Sequence, residues 1–369
     1  MTAKNVCCWD LEGPITILDF AAELGKLLRE KSNLGLQNYN MAEFYKMLSA
    51  YDDYLIEVPG VKEELNIPEY QPGDTLRLIA PIYISSFTDE DLTRIANQNM
   101  GLLPGCRELM VRLHKDWDVY IISTSYSHFA YSIANSLNVP NNRVFCTDLD
   151  IKKAKETYHN IKNDVDFLLN NIFQEFLAKN KNLDAIIENL NEFFWNKEES
   201  DYLNVMNLIN VRGGKRKESA VERISEQTTI PISQFVVLGD SITDINMLQR
   251  VNNEGGIAVS FNGNRFTINR ANIAITTRSN LGTLPIFEKI NTIESFLESW
   301  ESSYDTFKNN PLKIPKALIS KEAKEYFVKY NFTPDIENLR NKTKDELDSI
   351  IRKQEQMRKD VRGWSGDLG

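Results

Sequence analysis

Short apolar runs that end in polar side chains constrain the fold of this chain more than any other feature. Residues 6–9, 119–122 and 234–238 form such runs, and 256–259 and 273–276 have the same character. None of them shows the strict alternation of a strand with one solvated face. Continuous apolar strands separated by helical stretches are typical of a parallel sheet that is buried on both faces. The sequence therefore predicts an α/β fold.

The stretches between these runs are long enough to form helical modules of their own. A chain of 369 residues is expected to hold two or three domains, at about 150 residues per domain. We predict a core that is interrupted twice and then extended at its carboxyl end. The segments are a core of 1–16, 101–150 and 211–290, a helical cap of 17–100, a second helical insertion of 151–210 and a helical C-terminal extension of 291–369.

Apolar side chains at helical spacing support both insertions. In the first they are Met41, Phe44, Tyr45, Leu48, Tyr51 and Leu55. In the second they are Ile151, Ala154, Tyr158, Ile161, Val165, Leu168, Ile172 and Phe176. Such stripes indicate packing against a neighbouring element. Residues 88–91 read Thr-Asp-Glu-Asp, which predicts the start of a helix that reaches about Gln98. Charge alternation over 341–362 indicates a solvated helix face, a candidate contact for a homodimer or a protein complex.

Composition narrows the classes of partner. Lys and Arg total 43 against 52 Asp and Glu, a net charge of −9, so the chain lacks the basic balance of a nucleic-acid-binding protein. The longest apolar runs fall far short of the roughly 20 residues that a membrane span needs. The first residues do not resemble a signal peptide, and the four cysteines form no C-x-x-C pair. We therefore expect a cytoplasmic protein with reduced, chemically inert thiols.

Two acidic motifs follow predicted strands. Residues 10–13 read Asp-Leu-Glu-Gly, and residues 239–244 read Gly-Asp-Ser-Ile-Thr-Asp. Asp10 and Glu12 leave the strand end on one side and would repel each other unless a cation or hydrogen-bond donors lay between them. Acidic turns after strands are common, so neither motif alone indicates a metal site. Together, with Asp240 and Asp244 as further oxygen donors, they favour a Mg²⁺ site.

A hydroxyl cluster and a lysine complete the candidate site. Ser123 follows the run 119–122 at the start of a helix, where hydroxyls and backbone N–H groups favour an anion. Ordinary helix capping is the alternative reading of the same residues. Lys217 lies just after the glycine pair 213–214, in a loop that opens a helix. A lone lysine there is usually solvated, so its interest depends on the other motifs.

In this order, each at the end of a strand or the start of a helix, the four motifs resemble those of the haloacid dehalogenase superfamily of phosphohydrolases. That superfamily has an aspartate in D-x-D-x-T/V, a Ser or Thr that ends the second strand, a lysine that opens a later helix, and G-D-x-x-x-D. The matching residues are Asp10, Ser123, Lys217, Asp240 and Asp244. The resemblance covers the core, about half the chain. It implies a Rossmann-like parallel sheet with helical cap insertions.

The sequence departs from that pattern in two places. The second acid is Glu12, and Pro14 and Ile15 stand where Thr or Val is usual. Enolase-phosphatases and a phosphoserine phosphatase and phosphotransferase subgroup also carry D-x-E-G. The lysine register is open as well. Lys217 fits the phosphoserine-phosphatase-like spacing, and Lys215 is the alternative.

The resemblance implies roles for these residues. Asp10 would be the nucleophile and Glu12 the general acid and base, while Ser123 and Lys217 would hold the phosphoryl oxygens. Mg²⁺ would bind Asp10, the backbone carbonyl of Glu12, and Asp240, with Asp244 as a further ligand or supporting partner.

The expected function is that of a Mg²⁺-dependent phosphomonoester hydrolase for a small phosphorylated metabolite, acting through an aspartyl-phosphate. Two alternatives stay open at this point. One is a phosphotransferase that uses the same intermediate. The other is a non-catalytic assembly or binding subunit built on the same scaffold.

Overall fold

A seven-stranded sheet, in the order β3-β2-β1-β4-β5-β6-β7, forms the centre of the molecule. The computed structural model describes residues 5–31, 35–156, 160–196 and 200–367. All neighbouring strands are parallel except β6 and β7, which are antiparallel. The strands are β1 Asn5–Trp9, β2 Trp117–Tyr126, β3 Val144–Thr147, β4 Phe235–Gly239, β5 Ile257–Phe261, β6 Ile273–Thr276 and β7 Asp335–Asn338.

Helices cover both faces of the sheet. Within β1, Cys7 and Trp9 belong to the apolar cluster on one face, while Val6 and Cys8 belong to the cluster on the other. All four side chains are fully buried. The apolar runs without alternation are therefore strands covered on both sides, and the predicted α/β class is confirmed.

The helices of the core and of the first insertion are α1 Phe20–Lys31, α2 Met41–Glu57, α3 Val61–Glu64, α4 Thr75–Ser86, α5 Asp89–Gln98, α6 Cys106–Asp116 and α7 Ser127–Ser136. The second insertion contains α8 Ile151–Lys155, α9 Lys162–Phe167, α10 Gln174–Ala178, α11 Ile187–Asn191 and α12 Asp201–Leu208, with π-helical turns at Leu168–Phe173 and Glu192–Asn196. The remaining helices are α13 Lys215–Thr228, α14 Ile245–Asn253, α15 Arg265–Ile268, α16 Leu284–Glu288, α17 Ile293–Asn309, α18 Lys321–Lys329 and α19 Lys344–Arg362.

Several local predictions agree with these elements. Thr88 caps α5 through a reciprocal pair of contacts with Asp91, as the Thr-Asp-Glu-Asp signal predicts. Tyr158, one residue of the second apolar stripe, lies outside the described residues. Cys7, Cys8 and Cys106 are buried and Cys146 is half-buried, all as free thiols.

The C-terminal extension is helical, as expected, and it also contains strand β7, which the sequence analysis did not predict. β7 reads Asp-Ile-Glu-Asn and pairs antiparallel with β6 at the edge of the sheet. Ile336 is its one apolar side chain and is fully buried. An edge strand with a single inward apolar residue lacks the run that predicts a buried strand. None of the helices in the described part of the chain has both the length and the apolar character that crossing a bilayer requires.

The two insertions pack against each other as one helical layer, which we call the cap. The Tyr51 hydroxyl, on α2, donates to Oδ1 of Asn191 at 2.6 Å and accepts from Nε1 of Trp195 at 2.8 Å. The Tyr202 hydroxyl, on α12, donates to the carbonyl of Leu78 on α4 at 2.6 Å. Apolar stripes from both insertions share one core cluster. The 50 residues between the two insertions, 101–150, therefore do not separate them in space, because this segment returns to the sheet between them.

Candidate active site

The first and fourth motifs meet because β1 and β4 are neighbouring parallel strands. The backbone N–H of Asp10 donates to the carbonyl of Leu238 at 2.9 Å, which continues the strand pairing into the loop. Asp10 and Asp240 therefore leave the sheet side by side at its carboxyl edge, where open α/β sheets bind ligands.

Glycine is required at two motif positions because neighbouring side chains come too close to allow a Cβ atom there. A Cβ on Gly13 would lie 2.1 Å from Oδ2 of Asp240, and the residue has a φ of +113°. A Cβ on Gly239 would lie 2.5 Å from the Asp244 side chain. Real Cβ atoms do not come this near to another heavy atom, so glycine at position 13 lets the two acidic loops touch, and glycine at position 239 makes room for Asp244 of its own motif.

The ammonium group of Lys217 contacts both acidic motifs. Nζ donates to Oδ1 of Asp10 and to Oδ1 of Asp244, each at 2.7 Å, and the side chain is completely buried. Burial by itself would lower the pKa of Lys217, but the carboxylates of Asp10 and Asp244 outweigh it and raise the pKa above its ordinary value. Lys217 is thus a fixed positive charge at physiological pH. Lys215 is exposed, and its backbone N–H donates to the side chain of Gln71. The geometry places Lys217, and not Lys215, in the site.

Three carboxylates next to Lys217 form a group that we call the acid cluster: Asp10, Asp240 and Asp244. All three are buried, and one carboxylate oxygen from each lies within 4.8 Å of the others. Oδ2 of Asp244 accepts from the backbone N–H groups of Asp240 and Ser241, at 2.9 and 3.1 Å.

One atom of the acid cluster indicates a missing positive partner. Oδ1 of Asp240 is buried and has no hydrogen-bond partner among the described residues. Buried polar atoms in native proteins are nearly always satisfied. Burial also raises the pKa of Asp10, and the neighbouring Asp244 carboxylate adds to that effect, so this nucleophile candidate needs a cation to stay ionised. The donor set, all carboxylate oxygen, suits a hard divalent cation such as Mg²⁺.

Glu12 lies beside the acid cluster but points away from it. Its Oε1 accepts a hydrogen bond from the backbone N–H of Phe20, at 2.9 Å. Burial and the nearby Asp19 carboxylate raise the pKa of Glu12 to about 8. The raised pKa favours the protonated form of the carboxyl group, which is the form a general acid needs.

Ser123 is buried at the carboxyl end of the sheet, within the last part of β2. Its Oγ accepts from the backbone N–H of Ser125 at 3.0 Å. The side chain that lines the cavity from this strand is Thr124, whose hydroxyl donates to the carbonyl of Arg212 at 3.1 Å. The hydroxyl cluster thus reaches the site, with Thr124 as an additional candidate for contact with a bound anion.

The site opens into a cavity of about 80 Å³ between the sheet edge, the cap and α19. The cap side is polar, and its lining includes Tyr45, Ser49, Asp52, Asp53 and Thr75. Arg358 and Arg362, from α19, form the opposite wall. The motif analysis did not single out these two arginines. The one local signal for them was the spacing of Gln354, Arg358 and Arg362 on one face of a helix whose charge alternation suggested solvent exposure.

Comparison with known proteins finds a family whose sequence model matches part of the core. The model of haloacid dehalogenase-like hydrolases matches residues 111–287, a little under half of the chain. This similarity agrees with the superfamily that the four motifs resemble and with the expectation of an enzyme. No curated protein sequence matches the chain.

Several solved structures are similar to this chain, to different degrees. Gene product AF1437 from Archaeoglobus fulgidus is 23% identical with a TM-score of 0.69, and the match covers 99% of each chain. The shared fold thus includes the cap and the C-terminal extension. A phospho-aspartyl intermediate analogue of phosphoserine phosphatase is 13% identical with a TM-score of 0.44, over 77% of this chain and 98% of that one. A haloacid dehalogenase family hydrolase from Salmonella enterica is 10% identical with a TM-score of 0.40, over 72% and 65% of the two chains.

Proposed function

We propose that this chain is a Mg²⁺-dependent phosphomonoester hydrolase that acts on a small phosphorylated molecule with Asp10 as its nucleophile. One observation carries the proposal: the Lys217 ammonium bridges Asp10 and Asp244 at 2.7 Å, next to the unpartnered Oδ1 of Asp240. A buried lysine and a buried carboxylate oxygen without a partner suit a site for a dianionic ester and a metal ion, because nucleophile and substrate otherwise repel each other.

The protein fixes the orientation of Asp10. Its Oδ1 accepts from the backbone N–H of Leu11 at 2.8 Å and from Lys217 at 2.7 Å. Two donors on one oxygen hold the plane of the carboxylate. Attack by an oxygen of Asp10 on phosphorus would form an aspartyl-phosphate and release the alcohol. Lys217 would stabilise negative charge on the phosphoryl oxygens, with Ser123 and Thr124 as neighbouring donors.

Asp10, Asp240 through Oδ1, and the backbone carbonyl of Glu12 would hold Mg²⁺, with Asp244 supporting the site through its contacts with the Asp240 loop. When bound, the ion supplies positive charge that offsets the repulsion between the carboxylate nucleophile and the phosphate ester.

Glu12 would transfer protons as a general acid and then as a general base. In its protonated form, which its raised pKa favours at neutral pH, it would donate to the leaving alkoxide. The resulting carboxylate would then remove a proton from the water that hydrolyses the aspartyl-phosphate. The cap would exclude bulk water during both steps, and the 80 Å³ cavity favours a small organic group over a protein substrate.

Release of phosphate by the purified protein tests the proposal. With Mg²⁺ and a panel of small phosphate monoesters, including an aryl ester, we expect turnover that EDTA abolishes and Asp10→Asn removes. Asp148→Asn is the matched control, since Asp148 also follows a parallel strand but is exposed and outside the cavity. Absence of turnover with every ester, in a protein that is folded and supplied with Mg²⁺, would contradict the proposal.

An alcohol included in the same assay distinguishes hydrolysis from phosphotransfer. A hydrolase releases inorganic phosphate in proportion to the ester consumed, whether or not acceptor alcohols are present. A new phosphate ester that appears at the expense of inorganic phosphate would assign the second half of the reaction to an alcohol in place of water.

A further inference from the structure

Two arginines from α19 hold the aspartate of the fourth motif. Nη1 of Arg358 donates to Oδ2 of Asp240 and, at 3.0 Å, to the backbone carbonyl of the same residue. Nη1 of Arg362 donates to Oδ2 of Asp240 at 3.0 Å. Both guanidinium groups therefore converge on one oxygen of one carboxylate, and that residue lies more than a hundred positions earlier in the chain.

The register of α19 on the core is fixed one turn before these contacts. Oε1 of Gln354 accepts from the backbone N–H of Gly263 at 2.7 Å and from the hydroxyl of Ser260 at 2.9 Å. Nε2 of Gln354 donates to the carbonyl of Ser260 at 3.2 Å. Residues 354, 358 and 362 are spaced by four and share one helix face, so docking of Gln354 places both arginines at the site.

Burial of this polar face requires an explanation. Arg358 is 4% exposed, and taking a guanidinium out of water is costly unless its partners compensate. A purely apolar seam would dock a helix at lower cost. The partners of Arg358 include the carbonyl of Gly366, which accepts from Nε at 3.1 Å, and the carboxylate and backbone carbonyl of Asp240.

The contacts with Asp240 make its two oxygens unequal. Oδ2 accepts from both guanidinium groups, whereas Oδ1 is buried without a partner. Because planar donors hold Oδ2, the carboxylate of Asp240 cannot turn that oxygen toward the acid cluster. Oδ1 is therefore the oxygen that can contact a bound ion. Partners that orient a metal ligand commonly decide the affinity of the site.

We propose that Arg358 is a positioning residue for divalent cation binding: from the C-terminal helix it holds Oδ2 of Asp240 so that Oδ1 is presented to the ion. Arg362 supports the same oxygen from the cavity wall. The C-terminal extension is thereby part of the active site. This inference deepens the proposed function and rests on its Mg²⁺ site.

The test is direct metal binding by the full-length, metal-free protein, with no substrate present. Mg²⁺ is titrated by calorimetry, and Mn²⁺ by the paramagnetic resonance signal of the free ion. Arg358→Lys keeps the positive charge but shortens the side chain and removes the guanidinium nitrogen that donates to Asp240. We expect it to bind both ions about 10- to 100-fold more weakly than the wild type. Arg352→Lys, an exposed position on the same helix, should bind as the wild type does.

The outcomes separate this inference from the proposed function. A folded Arg358→Lys variant with unchanged metal affinity would overturn the positioning role and leave the Mg²⁺ site intact. A wild-type protein that binds neither ion would overturn both. Thermal unfolding of the metal-free variants monitors the structural contact with Gly366. If Arg358→Lys does not fold, Arg362→Lys takes its place, because Arg362 also donates to Oδ2 of Asp240 and lies in the cavity wall. We expect Arg362→Lys to bind both metal ions several-fold more weakly than the wild type.

Discussion

Replacing Glu12 by glutamine tests the proton chemistry of the site without removing a structural contact. The amide has nearly the same shape, and its oxygen can still accept from the backbone N–H of Phe20, a bond of 2.9 Å in the native protein. We expect the free energy of unfolding to change by less than about 1 kcal/mol. Mg²⁺ affinity should also persist, since the Glu12 side chain points away from the acid cluster.

Turnover should fall, because the amide cannot give up or accept a proton. General acid and base catalysis is worth roughly 10²- to 10⁴-fold, or about 3–5 kcal/mol at 1.36 kcal/mol per tenfold change. The loss should grow along a series of aryl phosphates as the pKa of the leaving phenol rises, since poorer leaving groups depend more on protonation.

The pH profile gives a second measurement. Burial and Asp19 raise the pKa of Glu12 to about 8, so the proton-donating form dominates below that pH and disappears above it. The wild-type rate should therefore decline as pH rises through this value, and a bound cation should move the decline to lower pH. Glu12→Gln should lack that decline. A Glu12→Gln protein that turns over poor leaving groups at the wild-type rate, with saturating Mg²⁺, would refute the acid and base role.

Three further substitutions probe the geometry. Lys217→Met leaves two buried carboxylates without their cation, so urea unfolding of the metal-free protein should show a free energy of unfolding lower by about 3–5 kcal/mol. Mg²⁺ should recover part of this loss. An unchanged unfolding midpoint would contradict the bridging contact. Asp240→Asn should leave a folded protein whose calorimetric titration shows much weaker Mg²⁺ binding, whereas wild-type affinity would place the ion elsewhere. Gly13→Ala adds a Cβ that would lie 2.1 Å from Asp240 and should abolish turnover. Gly255→Ala, at a φ of +84° with open space around it, should cost only about 1–2 kcal/mol of stability.

The acidic and hydroxyl motifs could be located from the sequence because each is local. Asp10 and Asp240 directly follow apolar strands, and parallel strands end at a common edge of a sheet. Proximity therefore follows from strand order alone, without knowledge of side-chain packing. Strand order does not predict which of the two lysines enters the site. Lys215 and Lys217 differ by about 200° around a helix, and only the orientation of α13 decides which of them faces the acid cluster.

The role of α19 could not be predicted from local patterns. A helix that alternates acidic and basic residues is typical of a solvated surface, and most of this one is exposed. Burial of Gln354, and of Arg358 against Asp240, depends on polar partners in distant segments, at least 91 positions away in sequence. Hydrophobic periodicity does not detect such a face. Strand β7 was missed for a related reason, since one buried isoleucine among polar residues carries no periodic signal.

The charges of the site predict that the metal and the substrate bind cooperatively. The three carboxylates of the acid cluster face three cationic side chains, Lys217, Arg358 and Arg362, all with little or no exposure. When all six are ionised their charges cancel, so a divalent cation alone adds two positive charges to this group of side chains. A phosphate dianion supplies the missing negative charge. Mg²⁺ affinity should therefore rise by about 5- to 150-fold when inorganic phosphate is present, and phosphate affinity should rise by the same factor with Mg²⁺. Calorimetric titrations in both orders measure this coupling, and independent binding of the two ions would show that the arginines do not share their charge with the site.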